Sequence, residues 1–149
     1  AYGFGAQMAE VEVDTETGAV RVTRLVCAND VGRAINPMAV EGQIEGGAQM
    51  GLGYALTEEL IVRKGRVLNP NLLDYRIFTS ADMPILETTI VETNDPGGPF
   101  GAKGVGEMGG TPTAAAIANA IYDAVGVRLT EVPMTPERVL AALDRKGEA

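Results

Sequence analysis

The sequence contains no histidine and only one cysteine in 149 residues. Without histidine, Ser-His-Asp and Cys-His catalysis and every imidazole metal ligand are excluded for this chain. A single thiol excludes an iron–sulfur cluster, a zinc site of the usual type and an internal disulfide. That thiol, Cys27, ends an apolar stretch. Because free cysteines are most often buried, we expect it in the core rather than as a reactive group.

Long apolar runs and an excess of positive charge are also missing. No stretch reaches the roughly 18 apolar residues that a membrane-spanning helix needs, so no membrane partner is expected. The 12 basic and 20 acidic residues give a net charge of −8, which argues against binding to nucleic acid or to an anionic membrane. The N-terminus lacks a basic region and a signal-peptide core, so we expect a cytoplasmic protein.

The length of 149 residues suits a single domain, residues 1–149, built around one core. No repeat and no linker composition divides the chain. It begins without methionine, inside what looks like a strand, so we expect a processed, trimmed or split chain.

Several stretches have the patterns of strands. Residues 6–14 alternate between apolar and acidic side chains, which is typical of a strand with one solvated face. A turn at 15–18 and a second apolar stretch at 20–27 complete a hairpin. The remaining predicted strands are a short hairpin at 59–67, a strand at 86–92 and an edge strand at 127–132.

Three helices are predicted, each starting at a residue that can cap a helix and is followed by proline. The pairs and their helices are Asn36-Pro37 for residues 37–56, Thr111-Pro112 for 113–125, and Thr135-Pro136 for a last helix. Residues 145–149 are expected to fray. Together the elements indicate an α+β fold, in which β-hairpins form a mixed sheet with three helices packed on it.

The first predicted helix is rich in glycine, although each glycine costs a helix about 1 kcal/mol relative to alanine. Its glycines are Gly42, Gly46, Gly47, Gly51 and Gly53. This cost indicates that another backbone or a ligand lies against the helix where no Cβ intervenes. Gln43 stands among the glycines and is the polar side chain best placed to bond such a ligand. The alternative interpretation is that Gln43 is a surface amide.

Residues 95–107 contain five glycines and two prolines and end at Glu107, a composition that predicts a shaped loop. Bare backbone N–H groups beside one acid and a helix start can hold an anionic ligand next to a base. Most glycine-rich loops, however, are simple connections. Two phosphate-binding motifs are excluded. Residues 104–109 match G-x-G-x-x-G but follow a loop instead of a strand, and Lys103 lacks the neighbours of a Walker A lysine.

Two blocks of the sequence are specific in their order and spacing. The first joins Asn36-Pro37 to Gly-Gln-Ile-Glu-Gly-Gly at 42–47 and Met-Gly-Leu-Gly at 50–53. The second is Gly-Ala-Lys-Gly-Val-Gly-Glu at 101–107, followed by Pro-Thr-Ala at 112–114 and Ala-Asn-Ala-Ile at 118–121. These blocks resemble the C-terminal part of the molybdenum subunit of the xanthine dehydrogenase / aldehyde oxidase family of molybdenum hydroxylases. The resemblance extends over residues 6–143.

The resemblance implies a role for each matching residue. Glu107 would be the general base, in a low-dielectric pocket that suits a base. Gln43 would bond the cofactor, which in this family is molybdenum held by molybdopterin, in bacteria usually the cytosine dinucleotide form. Lys103 would either face Glu107 or point toward the cofactor. The loop residues expected to lie against the cofactor are Gly101, Ala102, Lys103, Gly104, Val105 and Gly106, and no residue of this chain is expected to bind the metal itself.

The family hydroxylates N-heterocycles, aryl compounds or aldehydes with water as the oxygen source. The resemblance therefore implies an oxidoreductase that works only within a larger assembly. Its partners would be the remainder of a molybdenum subunit, iron–sulfur and FAD subunits, and a small-molecule substrate. Two other functions stay open. A non-catalytic interaction domain of the same fold would carry no molybdenum, and a small anion-binding module would show a ligand-dependent thermal shift.

Overall fold

A computed structural model describes residues 1–147 of the chain. The elements are, in order, β1 (Phe4–Val13), β2 (Val20–Asp30), α1 (Pro37–Leu56), β3 (Val62–Arg63), β4 (Arg66–Val67), β5 (Ile85–Val91), α2 (Thr113–Val125) and α3 (Pro136–Gly147), with one 3-10 turn at Pro99–Gly101. Helices and a mixed sheet are both present, so the predicted α+β class is confirmed.

The main sheet has the strand order β1-β2-β5. β1 and β2 form the predicted antiparallel hairpin, and β5 pairs with β2 in parallel. The acidic side of β1 is solvated as predicted, and Glu10 and Glu87 both bond Arg24 on the central strand. The short hairpin of β3 and β4 also forms, but as a separate two-stranded sheet.

Helix α1 crosses between the two parallel strands, as a parallel pair requires. Asn36 caps the helix as predicted, since its side chain accepts a hydrogen bond from the Ala39 N–H at 3.2 Å. The core lies between the sheet and helices α1 and α2, and includes Leu25, Cys27, Ile44, Ala48, Leu52, Ile117 and Ile121, all 0% exposed. Cys27 is buried, which confirms it as a core residue, and this burial raises the pKa of its thiol to about 11.

Helix α2 begins at Thr113 as predicted, but Thr111 does not cap it. The Thr111 hydroxyl instead donates to the carbonyl of Glu107 at 3.1 Å. Helix α3 continues to Gly147, whereas the sequence predicts fraying from residue 145; residues 148 and 149 lie outside the described part. Within residues 1–147, no helix combines the length and apolarity that crossing a membrane requires.

The predicted edge strand at residues 127–132 is wrong. Residues 127–132 form no strand, and Val127 is buried in the core. The Arg128 guanidinium lies 4.0 Å from the centre of the Tyr122 ring and donates to Asn119 at 2.8 Å. These two contacts hold Arg128 against α2.

Candidate functional site

The glycine-rich loop is tied to the end of β2 through Lys103. The Lys103 N–H donates to the carbonyl of Val31 at 2.8 Å, and the Lys103 ammonium lies 2.6 Å from the Asp30 carboxylate. The lysine side chain is only 6% exposed. Asp30 also accepts hydrogen bonds from the Gly32 N–H and the Thr93 hydroxyl. The Lys103 ammonium is therefore held by Asp30 and the Lys103 N–H by Val31, so of the polar groups of Lys103 only the backbone carbonyl remains to face a ligand.

The hydrogen bond from Lys103 and that from the Gly32 N–H lower the pKa of Asp30 to about 2 from a usual value of 3.8. A lowered pKa stabilises the fold above the unfolded-state value, and this stability is lost as the pH falls from about 4 toward 2. We therefore expect Asp30→Asn to lower the urea midpoint at neutral pH. The difference from the unsubstituted chain should shrink toward pH 2. Asp144→Asn, at an exposed aspartate, should show no such change, and a pH-independent gap for Asp30→Asn would contradict the prediction.

The second half of the loop leads into a turn that lies between β1 and α1. The Glu107 carbonyl accepts from the Gly110 N–H at 3.2 Å, which closes this turn. Two glutamine side chains hold the backbone on either side of Glu107. Gln43 of α1 donates to the carbonyl of Gly106 at 2.9 Å, and Gln7 of β1 donates to the carbonyl of Gly109.

The glycines of α1 divide into two groups. A Cβ at Gly47 would lie 3.0 Å from the Gly109 backbone, and one at Gly51 would overlap Thr113, so these glycines let the loop and α2 pack closely. A Cβ at Gly53 would likewise overlap the side chain of Glu58. At Gly42 and Gly46, by contrast, a Cβ would meet nothing within 4 Å. The predicted close backbone packing is therefore confirmed on one side of the helix, and the other side is open.

The loop residues next to Glu107 are equally open, because a Cβ at Gly104 or Gly106 would also meet nothing within 4 Å. Beside them, Glu107 borders a groove of about 360 Å³ between α1 and the start of α2. The groove is lined by Gly47, Met50, Gly51, Tyr54, Glu107, Gly110, Thr111 and Ala114. Glu107 is exposed, so the expected low-dielectric pocket is not formed around it by the part of the chain described.

The structure places Gln43 beside residues 104–107 through its hydrogen bond to the Gly106 carbonyl, and the roles of these residues toward a cofactor stay predictions. Gly101 and Ala102 lie at the other end of the loop, where the Gly101 carbonyl accepts from the Asp95 N–H at 3.0 Å. Sequence reasoning missed Gln7 as a loop contact, although a polar residue on the apolar side of a strand was a usable signal. A larger cavity of about 890 Å³ lies between β2, the end of α1 and residues 72–85. None of the predicted site residues lines it.

Comparison with known proteins gives the same family from sequence. The profile of the molybdopterin cofactor-binding domain family matches residues 1–84. The putative xanthine dehydrogenase molybdenum-binding subunit XdhA of Escherichia coli is 43% identical over 91% of the chain. The aldehyde oxidoreductase molybdenum-binding subunit PaoC of the same organism is 40% identical over 94% of it. The chain covers only 18% and 20% of the lengths of these two relatives.

Solved structures agree with the sequence matches. Aldehyde oxidoreductase from Desulfovibrio gigas superposes with a TM-score of 0.88 at 39% identity, covering 95% of this chain and 15% of that one. Quinoline 2-oxidoreductase from Pseudomonas putida superposes with a TM-score of 0.87 at 38% identity, covering 94% and 18%. The chain therefore belongs to the molybdopterin cofactor-binding domain family, and its relatives are molybdenum-binding subunits of xanthine dehydrogenases and aldehyde oxidoreductases.

Proposed function

We propose that this chain forms one wall of the molybdopterin site of a molybdenum hydroxylase and supplies its general base, Glu107. The observation that carries the proposal is the open backbone beside Glu107. Four glycines there have an exposed backbone, because an added Cβ would meet no described atom within 4 Å. They are Gly42 and Gly46 on α1 and Gly104 and Gly106 on the loop. The hydrogen bond from Gln43 to Gly106 holds these two surfaces side by side.

These residues fit a large anionic cofactor. Side chains would keep such a group away from the backbone, whereas the bare N–H groups of a glycine-rich loop can approach its polar atoms closely. Molybdopterin-bound molybdenum supplies the oxidation–reduction chemistry when it is present. The proposed contacts are the backbone from Gly101 to Gly106 and the Gln43 amide. The N–H groups of Gly101, Ala102 and Lys103 already donate to carbonyls of this chain, so the proposed N–H contacts come from residues 104–106. The Lys103 ammonium is held by Asp30, so Lys103 takes part through its backbone carbonyl.

Glu107 is suited to proton transfer because its carboxylate lies at the rim of the groove and no described residue forms an ion pair with it. As general base, a Glu107 carboxylate oxygen would accept a proton from the water that becomes the product hydroxyl. The low-dielectric surroundings that favour such a base would come from the remainder of the assembled enzyme. The backbone on both sides of Glu107 is held by glutamine amides, which favours a fixed position of the Glu107 carboxylate.

The names of the matched structures suggest the substrate class. One acts on quinoline, an N-heterocycle, and another is an aldehyde oxidoreductase. We propose an electron-poor N-heterocycle, aryl compound or aldehyde as the substrate here. The proposed partners are the remainder of a molybdenum subunit together with iron–sulfur and FAD subunits, and the proposed cofactor form is the cytosine dinucleotide.

The open side of α1 provides a test that does not depend on turnover. We expect Gly46→Ala to stabilise the chain by about 1 kcal/mol, because alanine is the better helix former and its Cβ meets no described atom within 4 Å. In the assembled enzyme the same methyl group should occupy space that the cofactor needs. Molybdenum content per enzyme, measured by metal analysis, should therefore fall although the fold is more stable.

Gly147→Ala is the matched control, since Gly147 ends α3 and a Cβ there also meets nothing within 4 Å among the residues described. It should leave molybdenum content unchanged. Normal molybdenum content in Gly46→Ala would show that the cofactor does not lie against this side of α1, and the proposed wall would have to be abandoned.

A further inference from the structure

We infer that Gln7 of β1 is a positioning residue for Glu107, acting through the turn that follows it. The inference rests on the proposed role of Glu107 as the general base. Gln7 lies 100 residues before Glu107 in the sequence, and its side chain donates through Nε2 to the carbonyl of Gly109. This hydrogen bond goes to the turn and not to the open glycines through which the cofactor is proposed to bind.

Gln7 occupies an unusual place in the sheet. Along β1 it lies on the same face as Ala9, Val11 and Val13, which pack against the core. It stands opposite Cys27, whose side chain is 0% exposed. An apolar residue is therefore expected at this position from packing alone.

The side chain is only half satisfied by hydrogen bonds. Its Oε1 is buried and has no hydrogen-bond partner among the described residues. Leaving a buried acceptor unpaired is destabilising, so packing alone would favour an apolar residue over Gln7. Among the described residues, the one hydrogen bond of the Gln7 side chain goes to the turn after Glu107, so holding this turn is the role that the geometry gives it.

The residues after Glu107 form one closely packed unit. The Glu107 carbonyl accepts from the Gly110 N–H and the Thr111 hydroxyl, so the turn moves with Glu107. On one side the turn lies against α1, where a Cβ at Gly109 would lie 2.6 Å from the Ile44 carbonyl oxygen. On the other side it lies on β1, where a Cβ at Gly5 would lie 3.7 Å from the Met108 carbonyl oxygen. Gln7 is the side chain that bonds this turn to the sheet.

The backbone before Glu107 is held on one side and open on the other. The Val105 side chain packs against the core and the Gln43 amide bonds Gly106, whereas a Cβ at Gly104 or Gly106 would meet nothing within 4 Å. After Glu107, the Gln7–Gly109 hydrogen bond links the turn to β1, so the position of Glu107 relative to β1 depends in part on this bond. A shift of about 1 Å in a catalytic group can lower the rate by about 100-fold, so the loss of this hydrogen bond should be visible in turnover.

The test uses Gln7→Met in the complete holoenzyme, because methionine keeps the length of the side chain and removes the donor. We expect kcat to fall by about 10-fold or more, with KM and molybdenum content close to those of the unsubstituted enzyme. The matched control is Gln49→Met. Gln49 is also a half-buried glutamine that donates to a backbone carbonyl, that of Phe78 at 2.7 Å, but it lies away from the turn.

A double-mutant cycle with Glu107→Gln separates positioning from general stability. If Gln7 acts through Glu107, Gln7→Met should lower kcat little further when Glu107 is already glutamine. A kcat for Gln7→Met equal to that of Gln49→Met would overturn the inference, and so would an equal fold-loss in both Glu107 backgrounds. If Gln7→Met fails to assemble, Gln7→Leu, which also removes the donor, is judged by the same outcomes. Normal turnover in Glu107→Gln alone would overturn the base assignment first and this inference with it.

Discussion

Replacing Glu107 by glutamine in the assembled enzyme is expected to lower turnover by about 10²–10⁴-fold, the range typical of a lost general base. Glutamine has nearly the same size as glutamate but cannot accept the proton. The backbone contacts around position 107 do not involve its side chain, because Gln7 and Gln43 bond the carbonyls of Gly109 and Gly106. Molybdenum content should therefore stay normal while kcat falls.

Measuring molybdenum content together with kcat distinguishes a lost base from a lost cofactor. Loss of both turnover and metal would indicate that residue 107 holds the cofactor site together, and a base role would not be needed to explain the result. Near-normal turnover would exclude Glu107 as the base. Glu131→Gln, at an exposed glutamate outside the groove, should change neither quantity and controls for the loss of one negative charge.

The glycine pattern shows how far the site could be predicted. The cost of glycine within a helix indicates close approach by something, and the sequence cannot distinguish protein backbone from a ligand. In the structure, Gly47 and Gly51 lie against the loop and the start of α2, whereas a Cβ at Gly42 or Gly46 would meet nothing within 4 Å. Glu107 could be proposed as a site residue because the acid and the glycines that surround it are neighbours in the sequence.

The contacts that orient the loop were not predictable in the same way. The Lys103–Asp30 ion pair joins residues 73 positions apart, and the Gln7–Gly109 hydrogen bond joins residues 102 positions apart. Such pairs depend on strand register and on the parallel pairing of β2 with β5, which no local pattern specifies. For the same reason the edge strand at 127–132 was mispredicted: its apolar residues suit a strand, but the stacking of Arg128 on Tyr122 holds Arg128 against α2.

Helix α1 contributes both to the core and to the proposed site. The substitution in the core with the largest expected effect is therefore in this helix. Leu52 is 0% exposed and belongs to the buried cluster between the sheet and α2. Leu52→Ala is expected to lower the free energy of unfolding by about 2–5 kcal/mol, as the removal of a buried leucine side chain does elsewhere. Urea unfolding of the chain measures this directly. The exposed Leu73, at 83%, provides the same substitution as a control with an expected change within about 0.5 kcal/mol.

The consequence should extend to the proposed cofactor surface, because the same helix carries Gly42, Gln43 and Gly46 on its open side. A cavity at Leu52 loosens the packing that sets the distance between α1 and the loop, so molybdenum content of the assembled enzyme should fall in Leu52→Ala and stay normal in Leu73→Ala. Equal stability of the two variants would contradict the placement of Leu52 in the core. A destabilised Leu52→Ala variant that keeps all its molybdenum would show that the remainder of the enzyme holds α1 in place, and that the core of this chain is not what positions the helix against the cofactor.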